Sequence, residues 1–486
     1  MAVDAIPGYD LIPSASKIAQ PTNYLTDFNF LSQYLPDTYE KEFERYGNRS
    51  VSSFLRMVGA EMPSTSDLIK WAEQGRLHIK YTNIAIAAGA GTNSVTFTVN
   101  DDLVPAGSTA AAGAGLPAGQ FATLGTAQIA IRVGQTLMIS ENGGTNSDKA
   151  VVTAVGPDAV LGLAANQFIA GTYAAASTLP GAATCTCFIY GSEFDKGTEG
   201  MVGSLESDDF IFDNKPIILK DKYTVSGSDM AQIGWIEVTS ELGATGYLWY
   251  LKSESDTRMR FDDYLETAMI EAVPSVAGSG ALAAGLDGSE GVFHVVKNRG
   301  NVFSGAPATL ADFDAIIQRL DKQGSIEENV IFVNRELSFD IDDMLAAQNS
   351  YGAGGTSYGL FDNDEEMALN LGFTGFRRGY DFYKSDWKYL NDPTMRGDID
   401  AGKIFGLLVP AGSTTVYDQI LGKNAKRPFL HVRYRASETE DRRYKTWITG
   451  SAGGARTSSL DAMEVHFLSE RCVCTLGANN FFLIEA

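Results

Sequence analysis

The stretch YLWYLKSESDTRMRFDDYLETAMIEAVP, residues Tyr247–Pro274, contains neither glycine nor proline before its last residue. From Phe261 onward, apolar or small side chains recur at spacings of three and four, at Phe261, Leu265, Ala268, Met269 and Ala272. This spacing predicts a helix with one narrow apolar stripe. The segment KSESDTRMR before the stripe is almost wholly polar. A continuous helix would extend on the order of 40 Å, and so narrow a stripe is not typical of a core helix of that length.

The composition is that of a globular protein with an acidic surface. The chain has 486 residues, of which 44% are hydrophobic and 20% charged, which argues against a disordered or fibrous protein. This length predicts roughly two to four domains. The 60 acidic and 38 basic side chains give a net charge of −22, which opposes general affinity for polyanions such as nucleic acid.

The first residues, MAVDAIPGYDLIP, lack the basic and apolar regions of a signal peptide, and no apolar run is long enough to span a bilayer. We therefore expect a soluble protein of the cytoplasm. Four cysteines in 486 residues do not form a disulfide framework. A reducing compartment fits this composition.

The N-terminal third divides into an open arm, a helical unit and a β-rich region. Prolines predict an extended arm that is followed by short helices up to about residue 60. Ser64 and Asp67 have capping-box spacing and Gly75 can close a helix, so DLIKWAEQ is predicted as helix and RLHIKYT as the next strand. Residues 84–190 contain short alternating strands between glycine-rich turns, which predict a small β-barrel or sandwich.

Strands with stronger charge follow this region. PIILKDKYTV and QIGWIEVTS could form a long exposed hairpin that carries Lys220, Asp221 and Lys222. Beyond Gly291, an α/β alternation predicts a mixed sheet flanked by helices: strand GVFHVVKN, helix TLADFDAIIQRLDKQG, strand NVIFVN and helix ELSFDIDDMLAAQN. A loop-rich section precedes the closing strands IFGLLVP, FLHVRYRA, RRYKTWIT, MEVHFLSERCVCTL and FFLIEA.

The motifs that could carry chemistry are weak. Residues 397–403 resemble a phosphate-binding G-x-x-x-x-G-K loop, but Ile404 replaces the hydroxyl residue that would hold magnesium. The pairs Cys185/Cys187 and Cys472/Cys474 could together hold zinc, but C-x-C is not the usual C-x-x-C spacing, and buried strand positions are the simpler interpretation. The four histidines, His78, His294, His431 and His466, have no ligand spacing. We predict no catalytic, cofactor or metal site and no enzyme.

Two further clusters leave alternatives open. Asp362, Asp364, Glu365 and Glu366 could bind a metal ion, although a solvated acidic loop is the simpler interpretation. The segment GFRRGYDFYKSDWKYL mixes basic and aromatic residues, which can stack on single-stranded nucleic acid or form a protein interface. The net charge favours the interface.

The order of these elements resembles the major capsid protein of tailed double-stranded-DNA bacteriophages, the Hong Kong 97 or Johnson fold. The stretch EMPSTSDLIKWAEQGRLHIKYTN (Glu61–Asn83) is similar in particular to capsid proteins of crAss-like gut phages. The resemblance implies an α+β fold with an N-terminal arm, an E-loop, a spine helix, a P-domain and an A-domain, plus an all-β insertion in the E-loop.

On this basis we expect the following regions: 1–60 arm and short helices; 61–83 helix and strand leading into the E-loop; 84–190 β-rich insertion; 191–245 returning E-loop strands; 246–274 spine helix; 275–428 mostly A-domain; 429–486 closing strands of the P- and A-domains. The candidate assembly contacts are Lys220, Asp221, Lys222, Arg258, Arg260, Asp262, Asp263, Arg377, Arg378, Tyr380 and Trp387.

The resemblance implies a shell subunit that forms hexamers and pentamers, encloses double-stranded DNA without sequence-specific binding, and resides in a virion capsid assembled in the host cytoplasm. The first 50 residues are too short and proline-broken for a fused scaffold, so the expected partners are a separate scaffolding protein, a portal and decorating proteins, with no membrane and no cofactor. The alternatives are an encapsulin-like compartment, a β-rich carbohydrate-active enzyme and a phage adhesion protein.

Overall fold

A computed structural model describes residues 54–55 and 60–486, except 87–92, 101–128, 165, 181–183, 204–208, 233–236, 240–244, 247–248, 308, 325, 350–373, 419–422 and 455. The predicted arm and most of the short helices therefore lie outside the described residues, as does the acidic cluster Asp362, Asp364, Glu365 and Glu366. Phe54 and Leu55 are helical, as predicted for that segment.

The described strands, in chain order, are β1 Ala60–Ser64, β2 Ile69–Gln74, β3 Lys80–Ile86, β4 Ser94–Val99, β5 Gln135–Glu141, β6 Ser147–Val155, β7 Gln167–Thr172, β8 Thr184–Ser192, β9 Asp209–Asn214, β10 Ile217–Ser226, β11 Val238–Thr239, β12 Thr245–Gly246, β13 Asn301–Ser304, β14 Glu328–Val333, β15 Gly375–Arg378, β16 Tyr380–Asp386, β17 Ile404–Pro410, β18 Ser413–Asp418, β19 Lys423–Pro428, β20 Leu430–Arg435, β21 Lys445–Gly450, β22 Ala462–Thr475 and β23 Phe482–Glu485. The helices are α1 Gly227–Met230, α2 Trp249–Glu271, α3 Gly280–Ala283, α4 Val292–Arg299, α5 Leu310–Gln323, α6 Arg335–Asn349 and α7 Lys388–Asn391, with a 3-10 turn at Ala478–Asn480.

The long helix predicted between Tyr247 and Pro274 is confirmed as α2 over its described part. Phe261, Leu265 and Met269 are buried, as the stripe predicted, and Ile270 joins them. Asp263 and Glu266 are also buried, which the apolar periodicity did not indicate. The Glu266 Oε1 atom accepts a hydrogen bond from the backbone N–H of Phe54 at 2.8 Å, so a charged side chain of α2 anchors another segment.

Residues of the predicted β-rich region form a closed, all-antiparallel barrel in the order β3-β4-β7-β6-β5-β8. A barrel was one of the two architectures predicted for this region. Alternate residues point inward, as the strand period of two requires, and fill the interior with side chains such as Phe97, Leu137 and Phe168. Cys185 and Cys187 of β8 are part of this core.

Along the chain, the barrel strands are inserted between the two strands of an antiparallel ribbon. β2 precedes the barrel and pairs with β9, which follows it, from Ile69 opposite Asn214 to Gln74 opposite Asp209. In the described part of the chain neither strand pairs with a third strand. The chain thus leaves its sheets along β2, forms the barrel, and returns along β9.

The helix predicted for DLIKWAEQ is wrong, because these residues form β2. The side chains alternate between half-buried positions, Ile69, Trp71 and Glu73, and exposed ones, and the partner strand lies well over one hundred residues away. A local capping pattern cannot reveal such a partner. The strand predicted for RLHIKYT begins only at Lys80.

The predicted hairpin of PIILKDKYTV with QIGWIEVTS is not observed within the described residues, which leave out residues 233–236 and 240 of its second strand. β10 instead lies beside β22 in a five-stranded sheet of order β1-β20-β22-β10, with β21 also paired to β22. The short strand β11 pairs with β12. The predicted closing strands at β20, β21 and β22 are confirmed.

The predicted mixed sheet is present as a six-stranded sheet of order β13-β23-β17-β14-β16-β15. Its strand β14 runs parallel to β16 and antiparallel to β17. The helix predicted for TLADFDAIIQRLDKQG is confirmed as α5, which begins at a capping box formed by Thr309 and Asp312 and ends at Gly324 with a left-handed φ of 68°.

Two segments around this sheet differ from the prediction. GVFHVVKN forms helix α4 and not a strand. Its buried apolar residues have helical spacing: Val292, Phe293, Val295 and Val296. Periodicity alone cannot distinguish a helix from a strand in so short an apolar run. The section predicted as loop-rich contains the hairpin β15/β16 and α7.

Two compact units divide the chain: Met1–Arg49, Thr224–Asp256 and Gly450–Met463 form the smaller, and Ser50–Tyr223, Thr257–Thr449 and Glu464–Ala486 the larger. Within the smaller, Ser226 caps α1 by accepting a hydrogen bond from the Asp229 N–H at 3.2 Å. The barrel, the ribbon and the six-stranded sheet belong to the larger.

Candidate assembly surface

Strand β10 presents the predicted contact residues on two opposite faces. Leu219 and Asp221 are half-buried, whereas Ile218, Lys220 and Lys222 are exposed. The Asp221 Oδ2 atom accepts hydrogen bonds from Nε and Nη2 of Arg260 at 3.2 and 3.0 Å. These two charge-assisted bonds to one carboxylate oxygen tie β10 to helix α2.

Lys222 contacts a polar group on the neighbouring strands. Its Nζ atom lies 3.0 Å from Oε1 of Glu464 on β22. This hydrogen bond, with the charge of the lysine, lowers the pKa of the Glu464 carboxyl. Beside it, Nε2 of His466 lies 2.8 Å from the hydroxyl of Thr449, and the His466 ring stacks on Trp447 at 5.1 Å between centroids.

The remaining predicted contacts on α2 lie against the chain itself. The guanidinium of Arg258 lies 5.8 Å from the centroid of the Tyr444 ring. Burial, with the negative charge of Asp262, raises the pKa of Tyr444 to about 12. Asp263 is buried, and its backbone carbonyl accepts a hydrogen bond from the Thr267 hydroxyl at 2.9 Å.

An open groove of about 590 Å³ runs beside α2 and is shared with β10 and residues 389–399. Its lining includes Leu219, Lys220, Tyr264, Ala268, Met395 and Ile399. Tyr264 and Ile399 are exposed, and Lys220 makes no ion pair within the described residues. The groove thus combines exposed apolar side chains with polar groups, among them the cation of Lys220.

A partly buried polar triad contributes to the lining of this groove. Glu271, near the C-terminus of α2, accepts a hydrogen bond from the Tyr389 hydroxyl at 2.7 Å and pairs with Arg396, whose Nη2 atom lies 3.0 Å from Oε2. Burial and the bond to Glu271 raise the pKa of Tyr389 far above its usual range. Sequence reasoning missed this triad, because Glu271 is more than one hundred residues from Tyr389 and Arg396 and no motif connects them.

The basic and aromatic segment does not form a stacking platform. Tyr380 and Trp387 are buried in the chain's own core, together with Phe382 and Tyr389, so we leave Tyr380 and Trp387 out of any contact surface. The cations are paired locally: Arg377 with Asp381 at 3.1 Å, and Arg378 with Asp314. The bond from Arg378 lowers the pKa of Asp314.

The motifs tested for chemistry occupy ordinary structural positions. Lys403, at the end of the phosphate-loop resemblance, pairs with Glu336 at 2.7 Å and is followed by strand β17. All four cysteines are buried free thiols. Among the residues that the structure describes, no group of three or more His, Cys, Asp or Glu side chains is placed to hold a metal ion. The described helices also include none that is long and apolar enough to cross a bilayer.

No protein-family model matches the sequence, and no curated protein is similar to it. Three solved structures with a similar course of the backbone have low sequence identity to this chain. A chain of Microbacterium phage Oxtober96 aligns with 93% of this chain and 96% of its own, at 9% identity and a TM-score of 0.38. The capsid of the empty GTA particle aligns with 95% of this chain and 98% of its own, at 9% identity and a TM-score of 0.36. The mature capsid of bacteriophage PhiM1 aligns with 60% of this chain and 78% of its own, at 11% identity and a TM-score of 0.32. Likeness at this level does not define a family or a function.

Proposed function

We propose that this chain is a shell-forming structural protein, the major capsid protein of a tailed double-stranded-DNA phage. Copies would associate as hexamers and pentamers into an icosahedral shell around the DNA. In this proposal α2 is the spine helix, the β2–β9 ribbon with its barrel is the E-loop with its insertion, the five-stranded sheet belongs to the P-domain, and the six-stranded sheet is the A-domain.

The observation that supports this proposal best is the ribbon. A two-stranded ribbon is marginally stable alone, and each of its strands has an edge that no described strand covers. Its outer face exposes Ala72 opposite Ile211. Such an element gains stability when a neighbouring molecule covers it, which suits a subunit that is repeated in a wall.

The groove beside α2 supplies a second contact surface for a neighbouring copy. It combines exposed apolar side chains with the cation of Lys220, whereas Asp221, Arg260 and Lys222 are already paired within the chain. We therefore assign contact between subunits to Lys220 and the groove, and a positioning role to the paired residues. Many weak contacts of this kind, repeated around a closed shell, give stability through multivalency.

The partners in this proposal are other copies of the chain, a separate scaffolding protein, a portal and decorating proteins. The net charge of −22 disfavours adhesion to DNA, so the enclosed DNA would be held by the wall and not by specific contacts. The shell would form in the cytoplasm of the host bacterium and persist in the virion.

Electron microscopy and sedimentation of the full chain, expressed alone and with a candidate scaffolding protein, test this proposal. Closed particles or hexameric capsomers are expected. A stable monomer or trimer that does not respond to the scaffold would overturn it, and copurification of a cargo enzyme inside the particles would indicate the encapsulin-like alternative.

The groove is tested by Lys220→Glu and Tyr264→Ala. Both side chains are exposed, so both variants should fold normally and yield fewer particles. Lys196→Glu is the matched control, because Lys196 is an exposed lysine in the segment that follows the barrel. Equal particle yields from all three variants would remove the groove from the proposal and leave the ribbon to be tested.

A further inference from the structure

Side chains from the barrel's own strands fill its interior, so the residues on its outer face are available to bind a ligand. Phe97, Leu137 and Phe168 are fully buried inside it. On strand β8 the inward residues are Cys185 and Cys187. Ile189 also packs against this core, whereas Phe188 and Tyr190 on either side of it are exposed and are not needed to fill the interior.

Three aromatic rings are exposed on this outer face. Tyr173 retains 52% of its accessible surface, Phe188 41% and Tyr190 48%. Phe188 and Tyr190 are both exposed and flank Ile189, which packs against the barrel core, so both rings lie on the outer face. Exposed aromatic residues are costly to leave in water, and three together indicate a binding surface.

The rings form one patch with two lysines. The Nζ atom of Lys149 lies 5.7 Å from the centroid of the Tyr190 ring, and the carbonyl of Lys149 accepts a hydrogen bond from the N–H of Tyr173 at 3.1 Å. Phe188 stands opposite Lys80 of β3 in the strand register. Met138 of β5 lies between Lys149 and Phe188 in the strand register, so the patch continues from Tyr173 across β6, β5 and β8 to β3.

A carboxylate completes the polar groups. The hydroxyl of Tyr173 donates to Glu193, and this bond raises the pKa of Tyr173 to about 12, so the phenol remains protonated. Glu193 provides acceptor oxygens, and Lys80 and Lys149 provide donors. Rings flanked by both kinds of group match a ligand that has an apolar face and many hydroxyls.

The size of the patch argues against another protein subunit. An aromatic side chain contributes about 150–250 Å² when fully covered, so three half-exposed rings offer roughly 200–400 Å². A stable protein interface needs about 800 Å² from each partner. A ligand smaller than a folded protein fits this surface better.

The local charge argues against nucleic acid. Within residues 80–200, the described part carries four basic and six acidic side chains, a net charge of −2. A surface that binds single strands joins aromatic rings to a positively charged groove. Here the charges of Lys80 and Lys149 are offset by Glu193 beside them and by this acidic surrounding, which favours an uncharged ligand over a polyanion.

We propose that the outer face of the barrel binds an uncharged oligosaccharide. The C–H face of a sugar ring would stack on Tyr190 and Phe188, and its hydroxyls would bond to Glu193 and Lys149. Since the site lies on one barrel, binding does not require the proposed shell assembly. An assembled shell would display many copies and turn weak single-site binding into avidity.

The test uses the full chain, before any assembly, on an array of uncharged glycans, followed by calorimetry with the best-binding one. We expect binding that Tyr190→Ala and Phe188→Ala each weaken at least about tenfold, equivalent to ~1.4 kcal/mol. Tyr190→Phe keeps the ring and should retain most of the affinity. Phe339→Ala removes an exposed aromatic from α6, outside the barrel, and should have no effect.

A chain that binds no uncharged glycan, or binds one equally well after Tyr190→Ala and Phe188→Ala, would overturn the proposal. Tighter binding of a single-stranded oligonucleotide than of any glycan would also overturn it. Circular dichroism of each variant separates lost binding from lost folding. Because binding is measured without assembly, failure here leaves the shell proposal intact, and failure of assembly leaves this one intact.

Discussion

The guanidinium of Arg299, at the end of helix α4, lies 4.1 Å from the centroid of the Phe212 ring on strand β9. It also lies 5.7 Å from the centroid of Trp71 on β2, and its Nη2 atom is 2.9 Å from Oε2 of Glu290. One cation therefore contacts both strands of the ribbon while a carboxylate orients it. Asn214 adds to this anchor, since its amide donates to the carbonyls of Glu290 and Val473 at 3.0 and 2.7 Å.

Replacing this cation should loosen the ribbon. We expect Arg299→Ala to reduce the free energy of unfolding by about 1–2 kcal/mol, because it removes a partly buried cation–π contact and leaves Glu290 unpaired. Hydrogen exchange should increase in Ile69–Gln74 and Asp209–Asn214, the two strands of the ribbon. Arg377→Ala, which removes an exposed arginine, is the control. Unchanged exchange in both strands would contradict the anchoring role.

Two aromatic residues on α2 should behave in opposite ways. Phe261 is fully buried, with Tyr444 and Phe467 at 5.5 and 5.8 Å between ring centroids. Phe261→Ala should cost about 3–5 kcal/mol, through lost burial and the cavity that remains. Tyr264→Ala, three residues away and exposed, should change stability by less than about 0.5 kcal/mol. Denaturant unfolding measures both values, and similar losses would show that α2 is packed differently.

The Lys222–Glu464 pair predicts a dependence of stability on pH. Because the pKa of Glu464 is lower in the folded protein, its contribution is fully present above the unfolded value of about 4.3 and is lost as the pH falls through the folded pKa. Lys222→Met removes the main cause of the shift. The melting temperature of the native chain should therefore exceed that of the variant at neutral pH, and the two should converge in acid. A difference that is constant across this range would exclude the pair as its source.

The buried thiols should be unreactive in the native protein. Burial, with the charges of Glu141 and Asp148, raises the pKa of Cys185 to about 11, and the thiolate is the reactive form. Cys187, Cys472 and Cys474 are also buried. A chromogenic disulfide reagent at about pH 8 should label none of the four until guanidinium chloride is added. Rapid labelling of a native thiol would contradict the packing described for its strand.

Signals contained within one element determined several features before the tertiary structure was known. The spacing of Phe261, Leu265 and Met269 was sufficient to predict α2. The segment TLADFDAIIQRLDKQG was predicted as a helix and forms α5. Alternation between glycine-rich turns predicted the strands of the barrel. Each of these signals depends on neighbours within a few residues, and the sequence displays such neighbours directly.

Contacts between distant segments decided the rest. DLIKWAEQ has the composition of a helix, yet Trp71 and Ile69 face β9 across a ladder whose other strand begins at Asp209. Trp387 looks like an interface residue in sequence and is buried against Phe54 and Phe332 in the structure. Glu271 meets Tyr389 and Arg396 across more than one hundred residues. Local sequence signals were enough to indicate which segments can form helices or strands. The partners of those segments became clear only in the fold, because burial and cross-strand pairing depend on residues that are remote along the chain.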